Sequence, residues 1–302
     1  MAIKTVAVVG ASGLVGARVV EALQAANFDV TAVTREESKA TFPSNVAVRR
    51  ADLSSVESLT AAFAGQDAVV SAVSTVFAVI PGAQNPMIDA AVAAGVKRFI
   101  PSEYGLNTRK LQGEILGDWL KAKTSAVDYL IEKAQSNPSF TWTGIGTSLF
   151  FDWSLTRGIY GISFKDKTAT IFDSGNQKIS TTSLAFLAKT VAAVLQHDDK
   201  TANQYIDVIE FTVTQNQVLE AIEAEMGTKF TVTHESTNEA EKRGHEKLAR
   251  GDQYFPFVDF LIAYWFRDGP GHAIKEEDKA NKTLGLPQSD LRAVVKEYLQ
   301  TL

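Results

Sequence analysis

Along the first 150 residues, short β-branched runs alternate with stretches whose apolar positions recur every three or four residues. Residues 6–9, 30–33, 68–70, 98–100 and 140–145 read as apolar strands, and Val46 and Val48 mark another. Between them, Val15, Val19, Val20 and Leu23 share one side of a helix over 14–26. Val56, Leu59 and Phe63 keep helical spacing, and 87–94 and 119–134 read as two further helices. Strands that lack polar alternation are buried on both faces. When they alternate with helices they pair in parallel through right-handed crossovers. The pattern predicts an α/β fold built on a doubly wound parallel sheet.

The rhythm changes near residue 150. A strand over 167–172, a helix over 184–195 and a strand over 205–209 come next. Helices are predicted over 218–226, 239–250, 257–266 and 290–299. This suggests a first domain over 1–152 and a smaller, mostly helical domain over 153–302, with the segment 176–210 rejoining the first sheet.

Composition narrows the classes. The chain has 302 residues, 45% hydrophobic and 22% charged, which excludes a disordered or fibrous protein. A net charge of −5 implies no strongly basic face and argues against a nucleic-acid partner. Cysteine is absent, so disulfides, thiolate metal sites and cysteine nucleophiles are excluded. His197, His234, His245 and His272 show no metal-ligand spacing, and none is expected to hold a metal. No stretch reaches the roughly 18 apolar residues of a membrane helix, and the first apolar run is broken by glycine too soon for a signal peptide. A cytoplasmic protein with no membrane partner is expected.

Gly10-Ala11-Ser12-Gly13-Leu14-Val15-Gly16 spells G-x-x-G-x-x-G between the first strand and the first helix. In such a loop the first glycine permits a tight turn, the second lets the backbone approach a pyrophosphate, and the third allows close packing. The helix start then offers free N–H groups and partial positive charge to phosphates. Gly16-Ala17-Arg18 lacks the G-K-S/T of an ATP-binding loop. An NAD site usually has an acid at the end of the second strand, to bind the ribose 2′-OH. Here that place reads Thr34-Arg35, with Lys39 four residues on, and an arginine there suits a 2′-phosphate. Glu36 and Glu37 dilute the signal, but the residues favour NADP(H) over NAD.

With these residues the chain resembles the NmrA-like, isoflavone-reductase-like branch of the atypical short-chain dehydrogenases/reductases. The resemblance rests on residues 9–16, Thr34-Arg35, Arg50-Ala51-Asp52-Leu53, the stretch Gly65-Gln66-Asp67-Ala68-Val69-Val70-Ser71, and above all Lys97-Arg98-Phe99-Ile100-Pro101-Ser102-Glu103-Tyr104-Gly105. The last third of the chain matches only in general pattern. The resemblance implies a Rossmann domain that binds NADPH, and a smaller C-terminal domain that closes over an aromatic substrate. It also implies that Asp52 and Leu53 lie near the adenine, and that Val73, Ser74 and Thr75 line the ribose and pyrophosphate. Pro101, Ser102 and Glu103 end the fifth strand, where an open α/β sheet places its ligand crevice. Ser148 and Phe150 follow the sixth strand, where the family often has Asn and Phe near the nicotinamide. Ser148 departs from that pattern.

Most short-chain dehydrogenases use Tyr-x-x-x-Lys. The one match, Tyr129 to Lys133, sits too far along its helix: Lys133 would be roughly 15 Å further from the sheet's active end than Lys123. Both read as ordinary helix residues. The resembling family instead has a lysine early in this helix, which leaves Lys121 and Lys123. Lys123 stands seven residues before the apolar Leu130, the family's spacing, and is the expected catalytic residue and a neighbour of the cofactor. Seven aromatics (Tyr254, Phe255, Phe257, Phe260, Tyr264, Trp265 and Phe266) suit core packing, and some of them suit an apolar pocket, as do Phe150, Phe151 and Trp153. The expected function is an NADPH-dependent reductase of a small aromatic or conjugated substrate. The alternative is a non-catalytic NADP(H)-binding redox sensor that regulates a protein partner, suggested by the missing Tyr-Lys pair.

Overall fold

The structure, a computed structural model, describes residues 3–111, 113–252 and 255–302. In chain order its elements are β1 (Thr5–Val9), α1 (Leu14–Ala25), β2 (Asp29–Thr34), β3 (Ala47–Arg50), α2 (Val56–Phe63), β4 (Ala68–Ser71), α3 (Thr75–Ala78), α4 (Asn85–Ala93), β5 (Arg98–Ile100), α5 (Ile115–Trp119), α6 (Lys121–Ser136) and β6 (Thr141–Gly146). There follow β7 (Leu149–Phe150), α7 (Phe151–Thr156), β8 (Ile162–Ser163), β9 (Thr168–Phe172), β10 (Ile179–Thr182), α8 (Leu184–Gln196), α9 (Asp198–Thr201), β11 (Gln204–Asp207), β12 (Phe211–Val213), α10 (Gln215–Met226), β13 (Thr231–Glu235), α11 (Thr237–Ala249), α12 (Phe255–Phe266) and α13 (Leu291–Leu299).

The chain forms two compact units. The first comprises Met1–Gly146, Leu184–Val208 and Ala280–Leu286. Its seven strands run in the order β11-β6-β5-β4-β1-β2-β3, and every pairing is parallel. Strands β1 and β4 are buried almost throughout, as their unbroken apolar runs require. Helix α1 packs on α8, while α2 meets α4 and α4 meets α6. Under α2, α4 and α6 lies a core of Leu59, Phe63, Met87, Ile88, Val127 and Leu130 with Val9, Val69, Phe99 and Trp142 of the sheet. Strand order reverses between β1 and β4. In an open α/β sheet that is the switch point, and ligands bind there outside the strands' carboxyl ends.

Two local features position the site. Arg98 of β5 is buried, and its guanidinium donates to Thr141, Thr143 and Thr201 hydroxyls and to the Asp198 carbonyl, which fastens α9 to the sheet. The helix expected over 119–134 is two helices that break at Leu120 (φ −96°, ψ 6°). The Leu120 N–H closes α5 on the Leu116 carbonyl, and its own carbonyl accepts the Lys123 N–H to open α6. Lys123, Ala126, Val127 and Leu130 then share the buried face of α6 at helical spacing.

The second unit comprises Thr147–Ser183, Ile209–Lys279 and Pro287–Leu302. Its helices accompany two three-stranded sheets, β12-β10-β7 and β13-β9-β8. The strand β13 has no counterpart in the hydrophobic pattern, because four of its five residues are exposed. Inside the unit, Phe151, Tyr160, Phe172, Phe211 and Phe266 pack edge-on or tilted against one another. Buried Asp259 of α12 accepts from Arg243 and Lys247 of α11, tying the two helices together. Of the seven expected aromatics, Phe260, Trp265 and Phe266 are buried, and Tyr264 stacks on His272 at 3.7 Å. Tyr254 and the side chain of Phe255 lie outside the described residues.

Candidate active site

At the carboxyl ends of β1, β2, β3 and β4 the first unit holds a cleft of about 640 Å³. It is lined by Gly10, Ser12 and Gly13, by 34–38, by 51–54, and by Ala72, Val73, Ser74 and Phe77. The size suits a small-molecule or cofactor site.

The glycine loop shapes one wall. Gly10 has φ +77°, and a Cβ there would come within 2.6 Å of the Ala72 carbonyl oxygen, so turn geometry and strand approach both require glycine. A Cβ on Gly16 would overlap the Gly10 carbonyl and crowd Ala11, so this glycine lets α1 start tight against its own loop. Gly13 has ordinary dihedrals (φ −78°, ψ 174°), and a Cβ there would stop 3.2 Å from the Gly10 carbonyl oxygen. Gly13 itself lines the cleft. Gly13 is the N-cap of α1, no side chain caps it, and the first turn carries no acid. The helix start is thus open to an anion. Thr34 also lines the cleft, and its buried hydroxyl oxygen has no partner in the protein. A cradle that a Cβ would fill, an uncapped helix start and an unpartnered hydroxyl fit a dinucleotide.

The far wall holds Arg35, exposed and 3.8 Å from the Glu37 carboxylate, with Glu36 and Ser38 beside it. Asp52 accepts from the backbone and hydroxyl of Ser54, which hold its carboxylate below the usual range. Of the residues expected from the sequence, Gly10, Ser12, Gly13, Arg35, Asp52, Leu53, Val73 and Ser74 meet at this cleft. Leu14, Val15, Gly16, Lys39 and Thr75 flank it without lining it, and Lys39 is exposed.

Pro101, Ser102 and Glu103, expected at the crevice, are buried at the end of β5 and are not among the residues lining the cleft. Ser102 donates its hydroxyl to the Val73 carbonyl (2.8 Å) and its N–H to Gln84 Oε1 (3.0 Å), which also accepts from Ser71. Gln84 thereby joins the ends of β4 and β5. Glu103 is 1% exposed, and its Oε2 accepts from Thr108 (2.7 Å) and from Tyr205 of β11 (2.8 Å). Lys123 Nζ donates to the Glu103 carbonyl at 2.8 Å and is itself buried, whereas Lys121 is exposed. Burial pushes the Glu103 carboxyl up and the Lys123 ammonium down, each partly opposed by the other's charge.

The model of the NmrA-like family matches residues 2–247. The chain belongs to the NmrA-like family. The oxidoreductase poxI of Penicillium oxalicum is 33% identical over 305 aligned positions, covering 96% of this chain and 92% of the relative. A solved structure of AtPrR2 with NADP⁺ and (+)-pinoresinol superposes with a TM-score of 0.77 at 20% identity, covering 99% of both chains. An isoflavone reductase superposes with a TM-score of 0.74 at 19% identity, covering 99% of this chain and all of the other. This NmrA-like chain is an oxidoreductase with a Rossmann-like first unit.

Other expected residues are not among those that line this cleft. In this family member the Tyr-x-x-x-Lys match is committed to α4: Tyr129 donates to Asp89 at 2.7 Å, and Lys133 reaches the same oxygen at 2.6 Å. Ser148 and Phe150 belong to the second unit. Ser148 is buried with a left-handed φ of +57°, unusual for a side chain other than glycine or asparagine. Glu103 is expected beside the cofactor from the sequence; its side-chain partners Thr108 and Tyr205 carry no motif. The Tyr205–Glu103 bond gives a stability prediction. Tyr205→Phe removes a donor from a buried carboxyl whose Oε1 already lacks a partner. A loss of about 1.5–3 kcal/mol is expected, read as a lower thermal midpoint; an unchanged midpoint would contradict it.

Proposed function

We propose that this protein is an NADPH-dependent reductase of a small aromatic or conjugated carbonyl or enone-like substrate. The single observation behind the cofactor is the cleft that joins the glycine cradle to Arg35. NADPH, when bound, supplies the hydride. The residues of this chain do the rest. The backbone from Gly10 to Gly13 and the start of α1 receive the pyrophosphate, and Arg35 receives the 2′-phosphate. Lys123 holds the proton that the reduced product needs. Its ammonium is desolvated and fixed on the Glu103 carbonyl, so it gives up a proton more readily than a solvated lysine. The substrate class rests on the family and on the aromatic ligand of AtPrR2, and the aromatic interior of the second unit suits it.

Arg35→Ala tests the cofactor assignment. It should cost about 1.5–3 kcal/mol in NADPH binding, the range for a hydrogen bond to a charged group, and little in NADH binding. Titration calorimetry of both cofactors reads this directly. An equal loss for the two would remove Arg35 from the 2′-phosphate.

A further inference from the structure

Arg50 is a second arginine beside the turn that carries Arg35. It ends β3, in register with Thr34 at the end of β2. Its Nη1 donates to the carbonyls of Glu36 (2.9 Å) and Ser38 (2.7 Å) and approaches that of Arg35 at 3.5 Å. These three residues are part of the cleft wall. Among the described residues no carboxylate pairs with this guanidinium, although Glu36 and Glu37 lie in the same turn. Glu37 stands by Arg35 instead.

We infer that Arg50 is a positioning residue for the 2′-phosphate subsite and helps determine the choice of NADPH over NADH. The inference rests on the proposed NADPH binding. The turn after β2 has no regular hydrogen-bonded structure over residues 38–40. One guanidinium nitrogen that gathers its carbonyls substitutes for that missing ladder. It fixes the backbone from which Arg35 reaches the cleft, so less conformational freedom is lost when a phosphate binds. Drawing the carbonyl oxygens onto Arg50 also turns their negative ends away from the incoming anion. A surface arginine that merely closes a turn would support both cofactors alike, because NADH uses the same glycine cradle.

The test is the affinity of the full-length chain for NADPH and for NADH in wild type, Arg50→Ala, Arg50→Lys and Arg35→Ala, with the melting temperature of each cofactor-free protein. Arg50→Ala should weaken NADPH about tenfold or more, the scale of one lost charged hydrogen bond, and leave NADH within about twofold. Its melting temperature should stay near wild type. Arg50→Lys keeps the charge but not the planar fork, and should fall between the two. The inference fails if Arg50→Ala leaves the NADPH-to-NADH ratio unchanged, whether both affinities hold or both drop. It fails as well if Arg50→Lys matches wild type, since charge alone would then suffice. In those cases a selective loss in Arg35→Ala still upholds the NADPH site. A wild-type protein that binds both cofactors equally overturns the site and the inference together.

Discussion

Lys123→Ala is expected to lower turnover about 10²–10⁴-fold, the usual contribution of a positioned acid–base group, while NADPH affinity falls much less. The reason is geometric. Helical spacing puts Lys123 on the same buried face as Leu130, and that face meets the end of β5, where the Glu103 carbonyl takes one of its three N–H groups. Alanine would leave a cavity as well as remove the amine. Lys123→Met keeps the apolar stem and separates the two effects: it should fold as wild type does and be equally inactive. Lys121→Ala should be silent, because that side chain is exposed. Lys133→Ala should cost up to about 1 kcal/mol of stability through its ion pair with Asp89, and little turnover. The sign of the pH dependence follows. A protonated Lys123 is the donor, and burial lowers its pKa, so turnover should decline with rising pH well before an ordinary lysine would titrate. Full activity in both Lys123 variants on any substrate the wild type reduces would end the lysine mechanism.

Gly13→Val is expected to abolish cofactor binding and spare the fold. The three loop glycines make this a selective probe. Valine at Gly10 would meet the Ala72 carbonyl with a positive φ, and valine at Gly16 would overlap the Gly10 carbonyl, so both changes disturb the loop itself. At Gly13 the dihedrals tolerate a side chain, and the new Cβ would lie 3.2 Å from the Gly10 carbonyl oxygen, a tight contact that a shift of a few tenths of an ångström relieves. The branched methyl groups would occupy the space a pyrophosphate needs. Circular dichroism and the melting temperature without cofactor should stay close to wild type, while NADPH titration shows no saturation. Retained affinity would take the loop out of the site.

The first unit was legible because its signals are local and redundant. Strands such as 68–71 are buried at every residue and apolar over 68–70, and the glycine loop sits at a fixed place between β1 and α1. The seven-residue spacing that the family resemblance supplied puts Lys123 on the face of Leu130, and the structure buries Lys123 on that face and leaves Lys121 exposed. The polar contacts around the end of β5 and beside the cleft were not legible, because they depend on residues distant in sequence. Tyr205 reaches Glu103 across 102 positions, and nothing near either residue announces the pair. Gln84, Arg50 and Thr108 are ordinary residues whose roles come from which carbonyl or carboxylate the fold brings to them. The strand β13 escaped for a related reason: its exposed residues give no hydrophobic alternation, and its identity comes from pairing with β9. The Tyr-x-x-x-Lys spacing shows the converse. The spacing is real, but burial raises the Tyr129 pKa and its hydroxyl is spent on Asp89, so the phenol is not made acidic.

Calorimetric titration of the wild-type protein with NADPH and with NADH, at the same pH and salt, tests NADPH binding at this cleft most directly. The cleft as described should bind NADPH at least about tenfold more tightly, the minimum for one charge-assisted contact to the 2′-phosphate. Equal affinities, tighter binding of NADH, or no binding of either would contradict the account.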